Sequence, residues 1–449
     1  MKRFDAIVIG AGQAGPSLAN RLASAGQTVA IVERKFFGGT CVNTGCMPTK
    51  TLIASARAAH VVRHAADWGV RVPGPVEIDY AKARARAAAV TMNSRHGLES
   101  WMQTPERLAM LKATRAIPLP NTVQVGDEEL TAERIFVNVG ARARIPKIDG
   151  LDEVPYLTHS SLLALETLPR HLVIVGGGPI GLELGQTYRR FGSEVTIIDM
   201  GSRLLPHEDE DVSKAMLELL EAEGIRVRLD TKCLALHREG EGVRVADVVG
   251  SHVLLAAGRQ PNTDDLGLEN AGVTLDARGY IVVDEFLRTS TPGIWALGEV
   301  NGRGGFTHTA YNDYEIAAAN LLDNEERKVT DRIEAYAIYT DPPLARAGLS
   351  EGAARRSGRP FLIARRPMSR VMRSVEKGEP RGFMKAIVDE ESRRILGATI
   401  FGIDGDEAIH GLLYAMYAGA TAKTLTRSVG IHPTVSELLP TLLGDLAKP

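Results

Sequence analysis

Two segments of this 449-residue chain follow one plan. Residues 4–33 read FDAIVIGAGQAGPSLANRLASAGQTVAIVE, and residues 171–199 read HLVIVGGGPIGLELGQTYRRFGSEVTIID. Each is an apolar strand, a G-x-G-x-x-G turn, a helix and a second strand that closes on an acid. The glycines are Gly10, Gly12 and Gly15 in the first copy and Gly176, Gly178 and Gly181 in the second. Glu33 and Asp199 each fall 23 positions after the first glycine of their copy. A lone glycine triplet is weak evidence, but strand, turn, helix and acid in register specify a dinucleotide site. The first glycine makes the turn, the second admits a pyrophosphate against the backbone, and the third packs helix on strand. The helix N-terminus carries partial positive charge toward the phosphates, and the acid accepts ribose hydroxyls. The chain therefore builds two parallel α/β units, each with its own dinucleotide.

Three later strands end on glycine. ERIFVNVGARARIP (133–146) ends at Gly140, SHVLLAAGRQPN (251–262) at Gly258, and TSTPGIWALGEV (289–300) at Gly298-Glu299. The order implies one nucleotide domain interrupted by another. We divide the chain at 1–148, 149–265, 266–334 and 335–449, with the first and third pieces forming one unit. Residues 335–449 hold strand-like RGFMKAIVD and RILGATIFG, then a helical DEAIHGLLYAMYAGATAKTLTRSV, and no nucleotide motif. They read as an α+β interface domain. The formal net charge of −2 gives no sign of a nucleic-acid or anionic-membrane partner. No apolar run approaches the ~20 residues of a membrane span. The strand pattern begins at Phe4, which leaves no room for a signal peptide, and a cytoplasmic setting is expected.

Two of the three cysteines lie in FFGGTCVNTGCMPTK (36–50), spaced C-x4-C. Five steps on a straight helix would splay Cys41 and Cys46 apart. A disulfide needs converging side chains, so the run predicts an irregular turn loosened by Gly45 rather than a regular helix start. Three cysteines in a chain of this kind argue against a disulfide scaffold. Zinc would need about four clustered Cys or His ligands, and no His neighbours this run. No metal site is expected, and Cys233 reads as a small buried hydrophobe.

Taken in order, these motifs with GGGPIGLE, AAGRQPN, TPGIWALGE and IHPTVSE resemble the class I pyridine nucleotide-disulfide oxidoreductases along essentially the whole chain. That family includes glutathione reductase, dihydrolipoamide dehydrogenase and mercuric reductase. The resemblance implies an α/β fold with two Rossmann-like domains, for FAD and NAD, plus a C-terminal α+β dimerisation domain. It makes Cys41 and Cys46 a redox-active disulfide. Cys46 would be the flavin-side thiol, favoured as a thiolate at a helix start, and Cys41 the outer thiol that attacks substrate. Lys50 and Glu183 would pair beside the flavin and nicotinamide. His432 would be the acid–base group oriented by Glu437, donated from the other subunit of a homodimer. Further cofactor contacts are implied at Thr40, Lys50, Gly140, Gly258, Gly298 and Glu299.

Three departures qualify the resemblance. Glu299 stands where the family has an Asp that binds the ribityl chain, and Pro179 where a Tyr commonly gates the nicotinamide. The C-terminus, LLGDLAKP, lacks the cysteine pair of mercuric reductases, which also carry a tyrosine where His432 stands. These favour a small disulfide over Hg(II), but relatives without that pair include a copper reductase, so metal-ion reduction is the alternative. Asp199, followed by MGSRLLP with Arg203 as the only cation, favours NADH over NADPH. The reading is an FAD-dependent, NADH-preferring disulfide oxidoreductase.

Overall fold

The computed structural model describes residues 2–232 and 234–449, so the reading of Cys233 lies outside the described residues. Strand Lys2–Ile9 is paired in parallel with Val29–Glu33 on one side and Glu128–Val137 on the other. Ala6, Ile7, Val8 and Ile9 are all fully buried. A run with no polar alternation is what a parallel strand covered on both faces requires. Strand Leu108–Lys112 extends the sheet beyond Val29–Glu33. Helix Ala14–Ser24 packs against helix Thr307–Leu322.

Strand Glu128–Val137 is divided between two neighbours. Its first half pairs antiparallel with Thr122–Val125 and its second half pairs parallel with Ile294–Ala296. The chain thus leaves this sheet after Val137 and re-enters at Ile294. Between them lies a second parallel sheet, in the order Arg226–Arg228, Glu194–Ile198, His171–Val175, His252–Leu255. A three-stranded antiparallel sheet, Leu236–Glu239, Gly242–Val245 and Val248–Gly250, accompanies it. Short strands Ala141–Ala143 and Arg259–Pro261 pair where the chain crosses between the two units.

The C-terminal part is a five-stranded sheet in which Ile395–Phe401 lies between Leu344–Gly348 and Phe383–Asp389. Helices Gly405–Tyr417 and Leu438–Gly444 cover it through Ile409, Leu412, Leu439, Leu442 and Leu443. The single long helix read over 406–429 is corrected here. It stops at Tyr417, turns at Gly419 with φ +63°, and resumes as Ala422–Thr426. A left-handed backbone at Gly419 ends a helix at little steric expense.

One apolar core joins the units. Leu52 and Ala56 of helix Cys46–Arg63 meet Leu184, Tyr188 and Phe191 of helix Pro179–Phe191, and Phe383 and Phe401 of the third sheet. The Tyr80 and Tyr188 hydroxyls, 2.9 Å apart, satisfy each other inside it. The helix that begins at Cys46 is therefore held by all three parts of the molecule. Among the described residues, no helix is long and apolar enough to cross a membrane.

Candidate active site

The cysteine segment is seated on the first glycine loop. Gly38 donates to the Ala11 carbonyl at 2.8 Å. Gly39 has φ +60°, and a Cβ there would lie 2.6 Å from the Cα of Gly12. Residues Gly39–Asn43 then form one helical turn, tied by the Asn43 amide to the Phe37 and Gly39 carbonyls at 3.0 and 2.8 Å. The irregular turn expected at Gly45 is thus preceded by a short helical turn. The break falls at Thr44–Gly45, where Gly45 takes φ −130° and ψ −115°, and a second helix starts at Cys46. Two offset helices replace one straight one, and the thiols converge.

Cys41 and Cys46 are both free thiols, the reduced state of the pair, and the Cys41 proton is placed to stabilise an anion on Cys46. The hydrogen bond from Cys41 is the main cause that lowers the Cys46 pKa to about 6. The Thr307 hydroxyl, 3.2 Å from the Cys46 sulfur, and the charge of Lys50 push the same way against burial. Cys41 is pushed up, because it holds the shared proton and is desolvated. The direction of both shifts favours the anion on Cys46 over Cys41.

One turn along, Lys50 Nζ lies 2.6 Å from Glu183 Oε2. Glu183 is buried, with its other oxygen accepting from the Tyr339 backbone N–H at 2.8 Å. The same ammonium sits 4.8 Å above the Tyr339 ring. Two further turns along both helices, Arg57 and Arg190 both bond the Asp341 carboxylate. Gln186 receives the Asp341 N–H at 2.8 Å and donates to its carbonyl at 2.9 Å. Segment 339–341 is therefore clamped between the cysteine helix and the helix bearing Glu183.

Both glycine loops have the close approaches the motif requires. Gly10 has φ +101°, and a Cβ would meet the Asn138 carbonyl oxygen at 2.3 Å; at Gly15 it would meet the Gly10 oxygen at 2.2 Å. Gly176 and Gly181 repeat this against Ala256 and Gly176 at 2.4 and 2.2 Å, while the space above Gly178 is open. Glu33 accepts from Ala11 N–H at 3.0 Å and Lys35 N–H at 2.8 Å. Asp199 accepts from Gly177 and Gly201 N–H at 2.6 and 2.7 Å. Each acid thus stands at the mouth of its loop, and the cradles fit a dinucleotide.

Glu299, read as a ribityl contact, is ion-paired to Arg259 at 2.5 Å, which also donates to the Ala141 carbonyl at 2.6 Å. Gly298 N–H is fixed by the buried Asp313 at 2.8 Å. His432 Nδ1 lies 3.0 and 3.1 Å from the two Glu437 oxygens. Among the described residues, no hydrogen bond or ion pair joins this pair to the cysteine segment. The histidine side chain is 71% exposed, flanked by Val429 at 97% and Ile431 at 80%. Thr307, Tyr339, Asp341 and Arg259 were missed from sequence. AAGRQPN did contain Arg259, but nothing local marked the other three.

Residues 4–313 match the family model of the pyridine nucleotide-disulphide oxidoreductases, and residues 335–443 match that family's dimerisation domain. The probable pyridine nucleotide-disulfide oxidoreductase RclA of Escherichia coli is 34% identical over 456 residues, covering 99% of each chain. Dihydrolipoyl dehydrogenase of Thermus scotoductus is 32% identical over 447 residues, covering 97% of this chain and 96% of its own. The solved Cu(II) complex of HOCl-induced flavoprotein disulfide reductase RclA from Escherichia coli superposes with a TM-score of 0.91 at 33% identity, over 99% of each chain. The chain belongs to the pyridine nucleotide-disulphide oxidoreductases, NAD(P)H-dependent flavoenzymes with an α/β fold and a C-terminal dimerisation domain.

Proposed function

We propose that this chain is an FAD-dependent, NADH-preferring disulfide oxidoreductase, a cytoplasmic homodimer acting on a small disulfide. The observation that carries the reading is the thiol pair, with Cys46 poised as a thiolate one helical turn before the Lys50–Glu183 ion pair. The division at 1–148, 149–265, 266–334 and 335–449 assigns FAD to the first and third pieces and NAD to the second. Gly10, Gly12, Gly15, Glu33 and the loop carrying Thr40 would hold FAD, with Lys50, Gly140, Gly298 and Glu299 nearer its flavin end. Gly176, Gly178, Gly181, Asp199 and Gly258 would hold NAD. Flavin, when bound, supplies two-electron exchange between a nicotinamide and a dithiol.

The chain's own residues then carry the disulfide chemistry. Cys41 attacks one sulfur of the substrate, its S–S bond breaks, and the first thiol leaves with a proton from His432 of a second copy of the chain. Cys46 attacks the mixed disulfide, releases the second thiol and re-forms the Cys41–Cys46 bond, so one dithiol is oxidised and one disulfide reduced. Glu437 holds the imidazole in orientation. The exposed apolar rim around His432 supports delivery of that residue across a dimer interface. Asp199 supports NADH, because a 2′-phosphate would face its carboxylate, and Arg203 donates to the Pro206 carbonyl at 2.9 Å.

A second reading is metal-ion reduction by the same pair, favoured by the Cu(II) complex of the relative described above. Two thiols at one site suit a soft ion. Thiol counting tests the first step common to both readings. Anaerobic NADH should convert the peptide spanning 36–50 from no alkylatable thiol to two, read by mass spectrometry. An unchanged count after NADH would remove the cysteines from the electron path.

A further inference from the structure

Thr307 opens helix Thr307–Leu322, and its hydroxyl reaches the Cys46 sulfur from there. The residues on both sides of it rest on one short strand, Ala335–Ile338. His308 Nε2 lies 2.7 Å from the Ala335 carbonyl oxygen. The Phe306 ring is stacked with both the His308 and the Tyr336 rings, at centroid separations of 5.4 Å and interplanar angles of 14° and 4°. Phe306 is 38% exposed, so the stack rather than a surrounding core sets its rotamer.

Tyr336 is itself held at its far end. It is the cross-strand partner of Arg346 where Ala335–Ile338 pairs antiparallel with Leu344–Gly348, which puts both side chains on one face of the sheet. There both meet the buried carboxylate of Glu208. The tyrosine hydroxyl donates to Oε1, and Arg346 donates to both oxygens. Burial, and then the charge of Glu208, push the Tyr336 pKa up, so the phenol stays a neutral donor. Glu208 belongs to the second parallel unit, and its segment hangs from the second glycine loop. Leu205 N–H bonds the Gly177 carbonyl at 3.4 Å, and Glu208 N–H bonds the Leu205 carbonyl at 2.9 Å. We propose that Tyr336 is a positioning residue for Cys46, holding Phe306, and through it Thr307, so that the threonine hydroxyl stays within hydrogen-bond reach of the sulfur. A stacked aromatic pair contributes beyond its buried area, and a donor fixed in advance loses less freedom on meeting an anion. The proposal rests on Cys46 being the flavin-side thiolate.

The test is acid titration of the long-wavelength flavin–thiolate absorbance in the NADH-reduced holoenzyme. Tyr336→Leu should raise the midpoint by roughly half a unit, the size of a lost aromatic stack and less than loss of the hydroxyl itself. Adding Tyr336→Leu to Thr307→Ala should raise it no further, because the two substitutions act through one hydroxyl. Phe306→Leu removes the same stack at an exposed ring and should give the same shift, which covers a Tyr336 variant that does not fold. A midpoint no higher than wild type in Tyr336→Leu or Phe306→Leu would overturn the proposal, whatever the change in melting temperature. So would a Tyr336→Leu shift that adds in full to that of Thr307→Ala. A wild-type enzyme without the band would instead overturn the reading of Cys46 beneath it.

Discussion

Removing the Thr307 hydroxyl should move the proton of Cys46. The Cys41 proton, the Thr307 hydroxyl and the charge of Lys50 hold the Cys46 pKa below the ordinary thiol range, so it carries more thiolate at pH 7 than the about 3% of a thiol near 8.5. The Thr307 hydroxyl lies 3.2 Å from the sulfur and stabilises the anion. A hydrogen bond to a charged group is worth about 1.5 kcal/mol at the low end of its range, or about one pKa unit. Thr307→Ala should therefore raise the midpoint by about one unit. The assay is the long-wavelength flavin–thiolate absorbance of the NADH-reduced holoenzyme, titrated with acid. Because the pKa is depressed, the band is full well above it and disappears as pH falls through it. Cys46→Ser should abolish the band, whereas Cys41→Ser should show it without reductant. A wild-type midpoint at or above 8, an unmoved midpoint in Thr307→Ala, or a free-flavin spectrum in Cys41→Ser would refute the assignment of the thiolate to Cys46.

His432→Ala should lower disulfide turnover by roughly 10²–10⁴-fold while NADH-to-flavin transfer in stopped flow stays nearly constant; equal turnover would exclude His432 as the base. Steady-state kinetics should give a higher kcat/KM for NADH than NADPH, and Asp199→Ala should narrow that ratio by roughly tenfold. A wild-type preference for NADPH would reject the Asp199 argument. Asp341→Asn removes the charge shared by Arg57 and Arg190 and turns an NH2 donor toward one of them, while the two arginines keep Glu379 and Glu223 at 2.7 and 2.8 Å. Urea unfolding of the holoenzyme should show a loss of roughly 2–4 kcal/mol, and a loss under about 0.5 would show the clamp to be dispensable.

How far the sequence could be read depended on how local each signal was. Gly10, Gly15, Gly176 and Gly181 announce themselves because a side chain there would strike backbone within the same strand–turn–helix unit or the adjoining strand. The C-x4-C run was legible for the same reason, since both thiols and the Gly45 break lie within a few residues. Tyr339 and Asp341 were not. Their contribution to Glu183 and Gln186 is made by backbone groups reaching across more than 150 positions, and a backbone N–H leaves no mark in sequence. The Glu299–Arg259 pair was half legible, as both residues were in quoted motifs but their contact depends on how two units meet. The helix break at Gly419 was local yet overlooked, because a single glycine in an apolar run is often tolerated.

In the proposed function, electrons leave this enzyme through Cys41 to a disulfide. The direct measurement is stopped-flow reoxidation of the anaerobically NADH-reduced holoenzyme, wild type and Cys41→Ser, by a small disulfide and separately by Cu(II). The disulfide should reoxidise wild type rapidly and Cys41→Ser not at all. If the disulfide leaves wild type reduced while Cu(II) reoxidises it, the electrons go to a metal ion and the enzyme is a metal-ion reductase, not a disulfide reductase.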